Sequence, residues 1–161
     1  MLNLNEEYTF YKDKQFINYC LGCFRHTEDH VTFEHLQAFY SDKWGMQRFA
    51  IDYSSEAERR KLTKLVSRHI KDNDFAYKLF RCDFDFNMLP GEKETADEDF
   101  LLVRALFDAY CKEHETEGFL FTHFDQKDDK NEEAILTKHI HIIYRELFDG
   151  PTFSEFIQKH M

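Results

Sequence analysis

The sequence has few of the residues that make tight turns. Five of its 161 residues are glycine and two are proline. Barrels and sandwiches built only from β-strands need many short connections, and glycine and proline are frequent in them. The scarcity of both residues excludes an all-β barrel of many strands.

Long apolar runs are also missing. No stretch approaches the roughly 18 to 20 apolar residues of a membrane-spanning helix, and no charged segment followed by an apolar one opens the chain. We therefore expect a cytoplasmic protein that does not associate with a membrane. Its four cysteines, Cys20, Cys23, Cys82 and Cys111, are then expected to be reduced.

Positively charged residues are fewer than negatively charged ones. The chain has 21 lysines and arginines against 31 aspartates and glutamates, which gives a formal net charge of −10. An acidic surface repels phosphate backbones and anionic membranes, so the total weighs against nucleic-acid binding. Net charge does not describe distribution, however, and a locally basic groove remains compatible with it.

Aromatic residues are abundant instead. They make up 17% of the chain, with 18 phenylalanines, and apolar residues as a whole make up 42%. Disordered chains are poor in aromatics, so the composition argues against a disordered chain. The length fits one domain, residues 1–161, with a sizeable core.

Apolar spacing predicts several elements along the chain. A helix is predicted from Asp13 and a short second helix over 32–40, while residues 44–53 are left open between a strand and an irregular segment. Ser54 or Ser55 caps a clearer helix with a stripe at Leu62, Leu65, Val66, His69 and Ile70. Strict alternation predicts a half-buried strand over 77–87.

The second half continues with a helix, two strands and a helix. Thr95 and Glu98 have the spacing of a capping box, which would open a helix that runs to about Glu115. Two alternating segments, 118–126 and 135–147, then form an antiparallel hairpin, and a last helix starts at about Thr152. The predicted fold class is α+β, with an antiparallel sheet of about four or five strands and helices packed mainly on one face.

The hairpin carries the sharpest chemical signal. Alternation places His139 and His141 on one face of the later strand, and it places His123 and Asp125 on one face of the earlier strand. Imidazole is the commonest nitrogen ligand of divalent metals, so three rings from adjacent strands would suit a metal site. The alternative is a set of hydrogen-bonded polar residues on a solvent-facing sheet surface.

Other candidate ligands fit less well. Cys20, Cys23, His26 and His30 have the residue types of a zinc site. A helix over them would spread these residues along about 15 Å, far beyond one shell of ligands at about 2.0–2.3 Å. Buried thiols on a helix face are the better interpretation.

Three carboxylates are further candidate ligands. Glu146 would complete a cupin-like pattern after His139 and His141, but it falls on the opposite face of the strand. Asp83 and Asp85 share one face of the strand at 77–87, where they either line the histidine surface or are simply solvated.

The order of these residues along the chain is similar to that in a known protein family. An alternating strand and a helix come first, then FTHFD on one strand and KHIHIIY on the next, followed by Asp149-Gly150. This order resembles the core of the HUH endonuclease superfamily and, within it, the relaxases of plasmid mobilisation. The likeness covers 77–153, and 12–76 more weakly.

The resemblance implies a set of roles. His123, His139 and His141 would be the metal ligands, and Asp125 would be an alternative ligand or would orient one. The segment FINYCL resembles the one that carries the family's nucleophile, which makes Tyr19 the catalytic candidate. A tyrosine on such a helix is otherwise a residue at the edge of the core with a solvated hydroxyl. Tyr8 and Tyr11 are the other candidates for the nucleophile.

The function that follows is nicking of single-stranded DNA in plasmid mobilisation or rolling-circle replication. The implied cofactor is Mg²⁺ or Mn²⁺, and the implied intermediate is a 5′-phosphotyrosine with a free 3′-hydroxyl. The acidity of the chain supports an alternative: a non-catalytic, plasmid- or phage-encoded inhibitor or DNA mimic. Its partner would be a nuclease or DNA-binding protein with a basic surface.

Overall fold

The computed structural model describes six strands and three helices. They are β1 (Leu2–Thr9), β2 (Gln37–Asp42), β3 (Gly45–Arg48), α1 (Glu56–Asp72), β4 (Leu79–Met88), α2 (Lys93–His114), β5 (Gly118–Gln126), β6 (Leu136–Arg145) and α3 (Phe153–His160). The described residues are 2–9, 37–72, 79–88, 93–126, 136–145, 147 and 149–160. Only the backbone is described over 2–9, 79–83, 85–88, 93–97, 123–126 and 136–138.

The six strands form one antiparallel sheet in the order β1-β4-β6-β5-β2-β3. The predicted hairpin is confirmed, and β5 and β6 are the two middle strands of this sheet. Its register runs from Gly118 opposite Tyr144 to Gln126 opposite Leu136. The strand predicted over 77–87 is confirmed as β4, which lies beside β6.

The sheet is larger than predicted because two strands were missed. Residues 2–9 pair with β4, although their sequence gave no clear assignment. Residues 37–40 were predicted to end a helix but belong to β2. Ala38 and Phe39 are both buried, on opposite faces of the sheet, so β2 lacks the alternation that distinguishes a half-buried strand from a helix.

Helices pack on both faces of the sheet, which corrects the prediction that they lie mainly on one. On the first face, α2 and α3 cover Phe84, Leu120, Ile140, Ile142 and Tyr144. On the second face, α1 places Leu62, Val66 and Ile70 against Phe119, Phe121 and Ile143. The middle strands are apolar on both sides, and such strands require cover on both sides.

Caps fix the helix ends. The predicted cap of α1 is confirmed at Ser55, whose hydroxyl oxygen accepts a hydrogen bond of 3.3 Å from the Glu58 amide. Thr152 caps α3 in the same way, through the Glu155 amide at 3.1 Å. The long helix α2 is confirmed, but it begins at Lys93, so Thr95 is not its cap.

Candidate metal centre and the surface beside it

The three candidate histidines occupy adjacent positions on the two middle strands. His123 is the Cα partner of His139, and Phe121 is the partner of His141. Directly paired residues of an antiparallel ladder share a face, with Cβ atoms about 4.5–5.5 Å apart. Positions 123, 139 and 141 therefore lie together on the face that α1 covers, where Ile143 is also found.

The two described rings of this group are parallel. The centroids of His139 and His141 are 6.3 Å apart, and their planes differ by 2°. His141 is 7% exposed and His139 is partly exposed. The solvent-facing alternative therefore does not hold for His141, which is a buried polar residue in the middle of the sheet.

Two aspartate positions lie beside the histidine positions, on the neighbouring strand β4. The register of β4 against β6 places Asp83 opposite His141 and Asp85 opposite His139. Positions 85, 139 and 123 form one row across three strands, and positions 83 and 141 belong to the next row. Of the two interpretations of Asp83 and Asp85, this register agrees with the one that places both positions on the histidine face.

Several candidate residues fall outside the described part of the chain. Tyr19 lies there, as do Tyr11, the Cys20-to-His30 group and the helix predicted from Asp13. For Tyr8, His123 and Asp125 only the backbone is described. Among the side chains that are described, no three His, Cys, Asp or Glu residues come together in a way that could hold a metal ion. The complete ligand set stays a prediction.

The donor chemistry of these positions discriminates between metals. Imidazole nitrogen suits transition metals, whereas Mg²⁺ prefers oxygen and retains several waters. A site built on His123, His139 and His141 therefore fits Mn²⁺ better than Mg²⁺. The aspartate positions beside them would add the oxygen ligands or hydrogen-bond partners that such sites commonly include.

A second polar cluster lies on the same face, nearer the end of β2 and the start of β5. The Tyr40 hydroxyl donates a short hydrogen bond to Glu117 Oε2, and His69 Nε2 is 3.2 Å from the same oxygen. Arg145 Nη1 approaches the other carboxylate oxygen at 3.8 Å. Burial, followed by the hydrogen bond to Glu117, raises the pKa of the Tyr40 phenol well above its usual range.

The sequence gives no sign of this cluster. It predicts His69 only as part of the apolar stripe of a helix, and Tyr40 as the end of another helix. The residues come from α1, β2 and the turn before β5, and no sequence spacing connects them. Only the tertiary arrangement reveals that His69 faces a carboxylate.

An open groove runs along α1 beside the cluster. It has a volume of about 560 Å³ and is lined by Lys61, Lys64, Leu65, Arg68, His69 and Asp72. A smaller cavity of about 200 Å³ adjoins it and shares Leu65 and His69 with it. Aromatic side chains of Tyr40, Phe49 and Phe119 line this second cavity. The face that carries the histidines thus also has a basic groove and an aromatic pocket.

Comparison of the chain with protein-family models, with curated proteins and with solved structures finds no match. In the part of the chain that the structure describes, no helix combines the length and the apolar character needed to cross a membrane. Function is therefore inferred from the residues and their arrangement.

Proposed function

We propose that the protein is a divalent-metal-dependent endonuclease of the relaxase type that nicks single-stranded DNA. One observation carries the proposal. The register places His123 opposite His139 on the two middle strands, with the His141 ring parallel to that of His139. The pattern that suggested the family thus corresponds to neighbouring positions in the fold.

Each residue has a role in this proposal. His123, His139 and His141 hold the metal, and Asp125 orients a ligand or replaces one. The metal supplies charge stabilisation at the scissile phosphate. The Tyr19 oxygen forms a bond to phosphorus while the bond between phosphorus and the 3′ oxygen breaks. The phenol loses its proton to solvent, and the leaving 3′ oxygen takes up a proton from solvent. The products are a 5′-phosphotyrosine and a 3′-hydroxyl.

Metal binding is tested first, by calorimetric titration with Mn²⁺. We expect His139→Ala to weaken Mn²⁺ binding by at least about tenfold, because it removes a proposed ligand from a partly exposed position. His160→Ala, on the exposed end of α3, is the matched control and should bind like the parent. Equal affinity in the two variants, or no binding in the parent, would contradict the metal site.

Nicking is tested separately, on single-stranded oligonucleotides of randomised sequence with Mn²⁺. A covalent protein–DNA adduct, seen as a shift in a denaturing gel, is expected for the parent and not for Tyr19→Phe. Tyr8→Phe and Tyr11→Phe are the controls, and loss of the adduct in one of them instead would move the nucleophile there. If no adduct forms at all, the nicking function fails while the metal site stands.

A second function, that of a non-catalytic DNA mimic or inhibitor, is favoured by the net charge of −10. Clustered carboxylates of this kind would occupy a basic site on a nuclease. The basic groove on α1 weighs against it, because a mimic of DNA would not present lysines and arginine to such a site. Copurification with a DNA-binding host protein, together with no adduct on DNA, would favour this alternative.

A further inference from the structure

Positive charge is concentrated on one helix of an acidic protein. Helix α1 has six lysines and arginines and three acidic residues, so it contributes +3 to a chain of net charge −10. Two of its acidic residues, Glu56 and Glu58, stand in the first turn, so the remainder of the helix is more basic still. Within the part of the chain whose side chains are described, α1 is thus a surface that would attract a phosphate backbone.

The basic residues of the groove are spaced along one side of α1. Lys61, Lys64 and Arg68 are all exposed, and they follow one another at intervals of three and four residues. At 1.5 Å per residue they extend over about 10 Å of helix axis. A nucleic-acid strand with a rise of about 3.4 Å per nucleotide covers that distance in about three phosphates.

The aromatic pocket beside the groove has the size and walls for a flat group. Phe49 and Phe119 pack on each other at 6.0 Å with 19° between their planes, and Tyr40 meets the His69 ring edge-on at 4.9 Å. Phe119 is 1% exposed and forms the floor of the pocket, whereas the partly exposed rings of Tyr40 and Phe49 form the surface that a bound group would contact. The cavity of about 200 Å³ is smaller than the roughly 300–1,000 Å³ of sites for drug-sized ligands. It therefore suits a single ring system, and Leu65, 50% exposed, lies between it and the groove.

We infer that the exposed side of α1 and the pocket beside it bind single-stranded nucleic acid. Lys61, Lys64 and Arg68 hold consecutive phosphates, and one base enters the pocket formed by Tyr40, Phe49 and Phe119. Single-strand binding sites combine a basic path with aromatic platforms in this way. A duplex would keep its bases stacked and paired, out of reach of such a pocket.

This binding site rests on the proposed function, because it would hold the DNA strand that the enzyme nicks. Binding at the groove itself requires neither metal nor Tyr19. We therefore expect a parent protein in EDTA, and the His139→Ala variant, to bind a labelled oligodeoxythymidylate of about 16 nucleotides equally well by fluorescence anisotropy. A failure of nicking and a failure of this site are thus distinguishable.

The salt dependence of that binding counts the phosphate contacts. For three contacts on a single strand, log K should fall against log salt with a slope of about −2. Lys64→Ala with Arg68→Ala should weaken binding at least about tenfold and reduce the slope to about −0.7. The control, Lys112→Ala with Lys159→Ala, removes two cations from the helices on the opposite face and should bind like the parent.

The pocket is tested with a variant that removes one of its aromatic walls. Phe49 is partly exposed and lines the pocket, so Phe49→Leu removes a ring on which a base would stack and keeps an apolar side chain in its place. We expect about tenfold weaker binding of the oligonucleotide with an unchanged salt slope. A strand of abasic sugar phosphates should bind the parent and Phe49→Leu equally, because it has no base to stack.

Three results would overturn the assignment. They are no binding by the parent at low salt, equal losses in the groove variant and its control, and equal or tighter binding of a duplex. Preference for a free mononucleotide over the strand would instead assign the pocket to a small nucleotide and would refute the extended groove. Thermal melting of each variant controls for unfolding.

Discussion

Glu115 has a backbone conformation that few residues adopt without strain. Its φ is 49°, and it directly follows the last residue of α2. The Thr116 amide donates a hydrogen bond of 3.1 Å to the Cys111 carbonyl, which is the 6→1 bond of a Schellman motif. Glycine is the usual residue at this left-handed position, because the Cβ of any other residue comes too close to the following carbonyl oxygen.

Replacing Glu115 by glycine tests whether its backbone is strained. Glu115→Gly should stabilise the protein by about 0.5–1 kcal/mol, since it relieves the left-handed strain. Glu113→Gly is the matched control inside the helix and should destabilise it by about 0.5–1 kcal/mol. Urea denaturation followed by circular dichroism measures both. Opposite signs for the two variants are expected, and destabilisation by both would contradict the interpretation of Glu115.

Cys111 is protected on the face of α2 that meets the sheet. It is fully buried, and burial raises the pKa of its thiol from 9.0 to about 12. The thiolate is the reactive form, so Cys111 should resist iodoacetamide at about pH 8.5 until the protein unfolds. Peptide-resolved mass spectrometry, with and without urea, checks this. Rapid labelling in the folded protein would refute it.

The same shift sets the sign of a pH effect. Between pH 9 and about 12 the folded thiol keeps its proton while the unfolded one loses it. The folded state therefore binds more protons, and stability falls as pH rises through that range. Cys111→Ala should lose less of its unfolding free energy between pH 8 and about 11 than the parent loses.

At the scale of the elements, the first residue of β5 sets how closely the hairpin and α2 approach. A Cβ on Gly118 would lie 2.6 Å from the Ile143 carbonyl oxygen, 2.7 Å from Tyr144 Cβ and 2.8 Å from Phe107 Cζ. These contacts involve backbone and buried side chains, which cannot move independently. Glycine is thus required for the contact between helix and hairpin.

Gly118→Ala should therefore destabilise the protein by about 1–3 kcal/mol, as overpacking of a core does. Gly150→Ala is the control, because its added Cβ would meet mainly the end of the flexible Leu147 side chain, at 2.7 Å. Its effect should be clearly smaller in the same urea denaturation experiment. A cost at Gly150 equal to that at Gly118 would show that the close packing at Gly118 is not the cause.

The elements differ in how well their sequences specify them. Helix α1 could be predicted because its apolar residues recur at one helical period and its charged residues fall opposite them. The β5–β6 hairpin could be predicted because His139 and His141 alternate with Ile140 and Ile142, and a polar segment separates its two strands. Strand β2 could not, since Ala38 and Phe39 are buried on opposite faces of the sheet. The cluster of Tyr40, His69 and Glu117 has no local pattern, because pairing of β2 with β5 and packing of α1 on the sheet bring these distant residues together.

For the whole molecule, the sequence indicated the fold class but not the layering. An antiparallel sheet with helices is what alternation and helical spacing predict, and this part is confirmed. Cover on both faces follows from β5 and β6, whose residues on both sides are apolar. Cover on both faces could not be predicted from sequence, because a run of apolar residues fits a buried helix as well as a strand that is buried on both sides.

The net charge of the molecule likewise does not describe the charge of each surface. A total of −10 predicts repulsion from nucleic acid, whereas α1 alone is positive. The attraction of a nucleic-acid strand depends on the electrostatic potential close to the protein surface, within a screening length of about 8–10 Å. The distribution of charge, which the fold determines, therefore matters more than the total.

The strand order also determines how the chain must fold. Leu2 lies beside Phe86, and Gln37 lies beside Thr122, so both flanks of the sheet join segments that are remote in sequence. The hairpin in the middle is the only local pairing among the four central strands, β4, β6, β5 and β2. Closing long loops before any contact forms is slow, and folding times of milliseconds to seconds are typical of such topologies. We therefore predict that the histidine-bearing hairpin forms before β4 and β2 pair with it, which φ-values near zero in β4 and higher values in β5 and β6 would support and the reverse order would contradict.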